Sequence, residues 1–281
     1  MIALCPNPFR DLDLALTRRA ADILHAEGFE TVICPVFADD EPGIIPHDIP
    51  TRELSEAAGE CSLVIVIGGD GTLLSVARTL HEYSLPILGV NLGTKGFMTL
   101  LEPGELKLIA KAAHGGQPIS RRMKLAVTLV RNGETIYTDC ALNDAVIHGY
   151  GDCIKLTAKC DGATMTSFSG DGIILATPTG STGYSMSAGG PIVEPNAENI
   201  IITPICAHVM GSRSFVLDPA RVIEVKTEKL HGRRAYLSVD GNAVFDLSNN
   251  DIVTVKRSAH YTDMVDMGQR SFYDIAYEKL T

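Results

Sequence analysis

Five consecutive apolar residues, Leu63, Val64, Ile65, Val66 and Ile67, run directly into Gly68-Gly69-Asp70-Gly71-Thr72. This junction narrows the possible folds more than any other stretch of the chain. A short, unbroken, β-branched run is the pattern of a parallel strand covered on both faces. Past Gly71 the pattern turns helical, with Thr72 expected at the cap and Leu73, Leu74, Val76, Ala77 and Leu80 behind it. Strand, glycine loop and helix N-terminus in that order form a place where backbone N–H groups converge on an anion, commonly a phosphate. Gly68, Gly69 and Gly71 let backbone approach a ligand closely, and Asp70 presents a carboxylate among them. The alternative is a tight turn whose aspartate caps the helix. The loop is neither a P-loop, which ends Gly-Lys-Ser/Thr, nor the Gly-x-Gly-x-x-Gly of a dinucleotide fold.

Around this junction the chain alternates strand and helix patterns. Residues 2–5 read as a strand, Asn7-Pro8 as a turn, and 11–27 as a helix with Leu12, Leu16, Ile23 and Leu24 on one face, stopped by Gly28. Residues 31–34 read as a second strand. A Pro-rich loop, 38–50, leads to a short helix expected to be capped by Thr51. After the glycine loop, Pro86-Ile87-Leu88-Gly89-Val90 is another buried-strand pattern, followed by a second Gly-rich loop that contains Lys95. This alternation predicts an α/β domain with a doubly wound parallel sheet, whose ligands bind at the carboxyl ends of its strands.

Near Gly115-Gly116-Gln117-Pro118 the pattern changes. Strand-like runs at 125–131, 135–140, 153–160, 173–177, 222–227, 235–239 and 252–256 are separated by turn pairs such as Asn132-Gly133, Asp161-Gly162 and Asp240-Gly241. The expected organisation is an N-terminal α/β domain over 1–118 and an all-β C-terminal domain over 119–258. Residues 268–280 read as helical, and the segment 259–281 is expected to join the first domain.

The 281 residues suffice for one large domain or two ordinary ones, and 45% hydrophobic with 21% charged residues is a globular composition. A net charge of −10 offers no basic field to a polyanion, so no nucleic-acid partner is expected. No apolar run has the length of a membrane span and the first residues lack a signal-peptide layout, so neither a membrane nor export is expected, and the cytoplasm is. Seven cysteines without a Cys-x-x-Cys pair, and histidines without ligand spacing, predict neither a disulfide framework nor a protein-held metal.

Two further segments carry chemistry. Asn143-Asp144 follows a strand-like run and offers an amide and a carboxylate to a sugar diol or base edge, or else forms an Asx turn. Asp171-Gly172 precedes a strand that runs into Pro178-Thr179-Gly180-Ser181-Thr182-Gly183-Tyr184-Ser185-Met186-Ser187-Ala188-Gly189-Gly190-Pro191. That density of hydroxyls and glycines, with one aromatic ring, suits a polar ligand close to backbone. It contains no Gly-x-Ser-x-Gly elbow. The bland reading is a well-capped surface loop.

The Gly-Gly-Asp-Gly signature resembles a kinase superfamily that includes NAD kinases, diacylglycerol and sphingosine kinases, and more distantly phosphofructokinases. Asn143-Asp144, the segment 171–191, Thr203-Pro204-Ile205-Cys206-Ala207-His208 and Arg122-Met123-Lys124-Leu125 narrow the resemblance to the NAD kinase family. The resemblance implies transfer of the terminal phosphoryl of ATP, or of polyphosphate, to the 2′-hydroxyl of the adenosine ribose of NAD. It implies Asp70 as general base, with positioning of the hydroxyl or of the metal as its other possible roles. It implies NAD contacts at Asp70, Gly71, Arg78, Asn143, Asp144, Asp171, Thr182, Gly183, Tyr184, Ser185, Met186, Ser187 and Asn242. Gly68, Gly69, Gly71 and Thr72 would form the phosphate loop, Mg²⁺ would arrive with ATP, and a homo-oligomer, dimer or tetramer, is the implied assembly. Ser169, Asn242, Lys95 and Gly183 depart from common family residues. A lipid-type kinase of the same superfamily, or a dinucleotide-binding regulator without turnover, is the competing reading.

Overall fold

The structure, a computed structural model, describes residues 1–37, 44–46, 48–93, 96–99, 101–209 and 212–280; Lys95 and most of the Pro-rich loop lie outside them. Contacts gather into two units, Met1–Arg121 with Thr262–Thr281, and Arg122–Tyr261.

In the first unit β1 (Ile2–Pro6), β2 (Thr31–Ile33), β3 (Leu63–Gly68) and β4 (Ile87–Asn91) run parallel in the order β2-β1-β3-β4. Every residue of β1, β3 and β4 is buried, as their unbroken apolar runs require. The order doubles back after β2, so the carboxyl ends of β1 and β3 meet at a topological switch point. The first helix, α1 (Ala15–Ala26), packs Leu16, Ala20 and Leu24 against Ile2, Leu4, Ile65 and Ile67. Burial of each large side chain contributes about 1.5–3 kcal/mol.

This helix begins four residues later than its apolar spacing predicts. The buried Asp11 carboxylate accepts the N–H groups of Leu16 (2.8 Å) and Thr17 (2.9 Å), which starts the helix there. Asp13 and Leu14 take left-handed backbone conformations and turn Leu12 out, 71% exposed, instead of into the core. The short helix α2 (Leu54–Ala57) follows Glu53 rather than Thr51. Helices α3 (Asp70–Thr79) and α4 (Leu108–Ala113) complete this part of the unit.

The second unit is antiparallel. Its strands are β5 (Ile119–Arg131), β6 (Glu134–Ala141), β7 (Asp144–Gly149), β8 (Ile154–Cys160), β9 (Ala163–Gly170), β10 (Gly172–Ala176), β11 (Ile200–Ile205), β12 (Phe215–Leu217), β13 (Ile223–Thr227), β14 (Ala235–Val239), β15 (Asn242–Leu247) and β16 (Ile252–Val265). One six-stranded sheet has the order β12-β11-β10-β7-β14-β15. The other strands form the β5–β6 and β8–β9 hairpins, with β13 between β8 and β16. Alternate residues from both sets, including Ile147, Ile173, Leu175, Leu237, Leu125, Leu156, Val225 and Val253, interlock in one buried core. The helix α5 (Tyr184–Ser187) lies in the hydroxyl-rich segment. Asn132-Gly133, Asp161-Gly162 and Asp240-Gly241 have positive φ at both residues, as two-residue hairpin turns demand.

Strand β16 runs on well past residue 256 and pairs Met264 with Ile87 of β4, and α6 (Phe272–Leu280) follows it in the first unit. The parallel α/β domain and the all-β domain expected from the sequence are both present. Among the described residues no helix is long and apolar enough to cross a membrane.

Candidate functional site

The glycine loop sits at the switch point of the parallel sheet. Asn7, directly after β1, donates from Nδ2 to Thr72 Oγ1 (3.2 Å), and its N–H donates to Ile67 O (2.9 Å). Thr72 does not cap the helix. It is buried with its side chain against Gly68, where an added Cβ would lie 2.5 Å from Thr72 Oγ1. The helix starts instead at Asp70 after the extended Gly69, without a side-chain cap.

Gly69 and Gly71 have no described atom within 4 Å of an added Cβ. Neither packing within the described residues nor a left-handed backbone requires glycine there. Both lie beside the first turn of α3, whose leading N–H groups have no intrahelical acceptor.

Asp70 does not cap α3 either. Its carboxylate turns to residues 97–99: Oδ2 accepts the Phe97 N–H (2.7 Å), and Oδ1 accepts the N–H groups of Met98 (3.1 Å) and Thr99 (3.2 Å) and the Thr99 hydroxyl (3.2 Å). Gly96 makes room for it, since a Cβ there would sit 2.2 Å from Asp70 Oδ1. Among the described residues three donors meet Oδ1, whereas one meets Oδ2, which has capacity for another. Arg78 lies in the last turn of α3, about 12 Å along the axis from Asp70 at 1.5 Å per residue.

In the second unit Asn143 and Asp144 occupy the corner between β6 and β7. Asp240, which the sequence reading treats as a turn residue, holds this corner. Its Oδ2 accepts the Leu142 N–H (2.7 Å), and its Oδ1 accepts those of Asn143 (2.7 Å) and Asp144 (2.9 Å). On the other side Thr177 donates from its hydroxyl to Leu142 O (2.6 Å) and from its N–H to Asn143 O (2.8 Å). Gly180 lies so close that a Cβ would meet Asn143 O at 2.1 Å. The backbone of Asn143 is therefore fully engaged, while its Oδ1 is buried without a hydrogen-bond partner among the described residues. Thr179 Oγ1 is buried and unpartnered in the same way. Orphaned buried acceptors of this kind call for an occupant.

Asp144 and Asp240 are both buried, and Lys124 beside Asp240 is buried too. Burial raises both carboxyl groups, but three N–H donors and the Lys124 ammonium favour the ionised form of Asp240. The proton of the pair therefore resides on Asp144, which burial and the Asp240 charge push up to about 7. Burial pulls the Lys124 ammonium down.

Asp171 accepts the Cys206 thiol, and this bond raises the thiol above its ordinary range. Burial raises the Tyr184 hydroxyl, with Tyr236, Cys206, Asp171 and Asp144 as its electrostatic neighbours. The structure thus brings Asn143, Asp144, Asp171 and Tyr184 around one region of the second unit, and Thr182 donates its hydroxyl to Thr179 O (3.3 Å). Gly183 belongs there as well, its Cβ position lying 3.8 Å from Asn143 Nδ2.

Ser185 is turned away, fully buried with its hydroxyl on Thr203 Oγ1 (3.0 Å). Asn242 donates to Asp240 O (3.3 Å) within the hairpin turn. Met186 is half-buried and Ser187 exposed. Asn7, Thr179, Tyr236 and Asp240 escape the sequence reading. The Asp-Gly dipeptide at 240–241 signalled a hairpin and gave no hint of its grip on residues nearly a hundred positions earlier.

Fold and site together are those of a two-unit α/β and all-β protein, with a glycine loop at a helix N-terminus on a parallel sheet and a cluster of polar side chains on an antiparallel one. Similarity to known proteins places it among the phosphotransferases. The family model described as ATP-NAD kinase N-terminal domain matches residues 16–117, and the ATP-NAD kinase C-terminal domain matches residues 142–267. An NAD kinase from Natranaerobius thermophilus is 36% identical over 286 residues, covering 100% of this chain and 97% of that protein. One from Geobacter sulfurreducens is 39% identical over 241 residues, covering 85% and 82%. Among solved structures, yeast NADH kinase complexed with NADH superposes with a TM-score of 0.86 at 26% identity, over 99% of this chain and 86% of that one. An NAD kinase from Archaeoglobus fulgidus in complex with ATP gives 0.75 at 26% identity, over 95% and 94%. The chain belongs to the NAD kinase family.

Proposed function

We propose that this protein transfers the terminal phosphoryl group of ATP to the 2′-hydroxyl of the adenosine ribose of NAD⁺, giving NADP⁺. The observation that carries the reading is the Asp70 carboxylate, fixed beside an open glycine loop at a helix N-terminus. The hydroxyl oxygen attacks phosphorus, ADP leaves, and the hydroxyl proton passes to Asp70. Oδ2 is the oxygen with room for it. Gly68, Gly69, Gly71 and Thr72 present the N-terminus of α3 to phosphate. Asn143, Asp144, Asp171, Thr179, Thr182 and Tyr184 meet the dinucleotide, with the orphaned Asn143 and Thr179 oxygens taking its donors.

Asp144, raised to about 7, can offer an O–H or accept one near neutral pH, and beside Asn143 it suits a ribose diol better than the aliphatic chain of a lipid acceptor. Among the described residues no three His, Cys, Asp or Glu side chains are grouped to hold a metal. Mg²⁺ fits this donor set as part of the MgATP substrate, carried by phosphates and water. All seven cysteines are free thiols, four of them buried, in keeping with a reducing cytoplasm. A dimer or tetramer is the proposed assembly, with exposed Ile192, Val209 and Val216 as apolar surface for it.

The test is NADP⁺ formation from NAD⁺, ATP and Mg²⁺ by purified protein beside Asp70→Asn. The wild type should turn over, and the variant should lose at least about a hundredfold in kcat while still binding NAD⁺. NAD⁺ binding without NADP⁺ from ATP or polyphosphate would point to a regulator.

A further inference from the structure

The loop that holds Asp70 is itself held from two sides. Strand β4 fixes one side: Gly89 lies against Thr99, whose Cα would be 2.9 Å from an added Cβ, and Thr99 and Met98 are buried. The other side is met by the far end of the chain. The ring of Phe272, the first residue of α6, packs on Phe97 with centroids 6.3 Å apart. Arg270 reaches Glu102 (3.7 Å), the residue that caps the 3₁₀ turn Pro103–Glu105. The C-terminal segment therefore touches both position 97 and position 102.

The segment is well anchored for this work. Asp266 N–H donates to Pro118 O (2.9 Å), and Met267 is buried in the core of the parallel sheet. Gly268 turns the chain at φ 66°. Ser271 and Asp274 then cap each other: Ser271 N–H and Oγ donate to Asp274 Oδ2, and Asp274 N–H donates to Ser271 Oγ. Ile275, one turn on, is buried and holds the helix down.

We infer that Phe272 is a positioning residue for the phosphoryl transfer, acting through Phe97 on Asp70. Among the described residues Phe97 supplies the shortest bond to the Asp70 carboxylate, 2.7 Å to Oδ2, the oxygen proposed to take the ribose hydroxyl. A ring that fixes Phe97 fixes the direction of the remaining lone pair. Truncating Phe272 removes one hold on the Phe97 ring and loosens its N–H, so Oδ2 loses orientation while the glycine loop and the dinucleotide contacts stay in place. The inference rests on the proposed role of Asp70.

The test compares Phe272→Ala, Phe272→Tyr and Arg270→Ala with wild type and Asp70→Asn. In full-length protein without substrates, amide exchange at 97–99 should quicken in Phe272→Ala and return towards wild type in Phe272→Tyr. Turnover per folded molecule should fall about ten- to a hundredfold in Phe272→Ala, with KM for NAD⁺ and ATP held within about twofold, and recover in Phe272→Tyr. A helix that merely stabilises the fold would change the folded fraction and leave kcat of the folded molecules alone; that result overturns the inference, as does unchanged exchange at 97–99. If Phe272→Ala does not fold, Arg270→Ala replaces it: faster exchange at 97–99 with a lower kcat supports the inference, and no change in either overturns it. Full activity in Asp70→Asn would instead overturn the proposed base, and the link between Phe272 and the loop would then be decided by exchange alone.

Discussion

At the scale of single residues, the corner at Asn143 and Asp144 is governed by a buried charge balance. Asp240 keeps the negative charge because three N–H groups and Lys124 face it, which leaves Asp144 to carry a proton. The consequence is measurable. The Asp144 carboxyl titrates near 7 in the folded state and near 4 in the unfolded chain, so between those values the folded state binds the extra proton. The stability this supplies is complete below about pH 4 and is lost as pH rises through about 7, up to about 4 kcal/mol in total. Urea midpoints from pH 4.5 to 7.5 should decline in the wild type relative to Asp144→Asn, whose amide does not titrate. Parallel profiles for the two proteins would count against a protonated Asp144.

At the scale of elements, the glycine loop separates two reasons for being glycine. Gly68 is packed against Thr72, so Gly68→Ala forces a Cβ into a side chain that also bonds Asn7. We predict a loss of about 1–3 kcal/mol in stability, read from a lower thermal midpoint. Gly69 and Gly71 meet no described atom. Gly71→Ala should therefore leave the thermal midpoint within about 0.5 kcal/mol of wild type. On the proposed function it should nonetheless raise KM for the nucleotides, because the loop proposed to meet phosphate would carry a new methyl. A fall in stability without a change in KM would assign that glycine to packing after all. The same split was partly legible beforehand: the loop between strand and helix was evident from composition, whereas which glycine is packed and which is open depended on where Thr72 and Asn7 point.

At the scale of the whole molecule, the chain leaves the parallel-sheet unit and comes back to it. Residues beyond Tyr261 supply Met264, Val265, Met267 and Ile275 as buried side chains to the first unit. At about 1.5–3 kcal/mol each, their loss is comparable with the net stability of a domain. A chain ending at Tyr261 should therefore lose cooperative unfolding of the α/β unit, while the antiparallel unit, whose core is complete within Arg122–Tyr261, keeps its β-sheet signal in circular dichroism. A truncated chain with an unaltered helical signal and midpoint would show that the returning segment is dispensable.

The amino-acid sequence by itself determined the parallel strands, because residues buried on both faces must be apolar without interruption, and the hairpins, because left-handed turns select Asn-Gly and Asp-Gly. It also carried the glycine loop between strand and helix, since Gly-Gly-Asp-Gly interrupts an apolar strand run just before a helical pattern. It left several strands unread: β7, β9, β11 and β15 lack clear alternation or lie inside motifs noticed for their chemistry. It placed Leu12 in the core, where Asp11 capping sends it to solvent, and set Thr72 at a cap it does not form. Only the tertiary structure decided that Asp70 is held by residues 97–99, Asn143 by Asp240, and Phe97 by Phe272. Each of these pairs lies 27 to 175 positions apart in the chain. Local spacing encodes helix, strand and turn through short-range sterics and burial. A hydrogen bond or ring contact across such separations exists only once the sheets have set the distances.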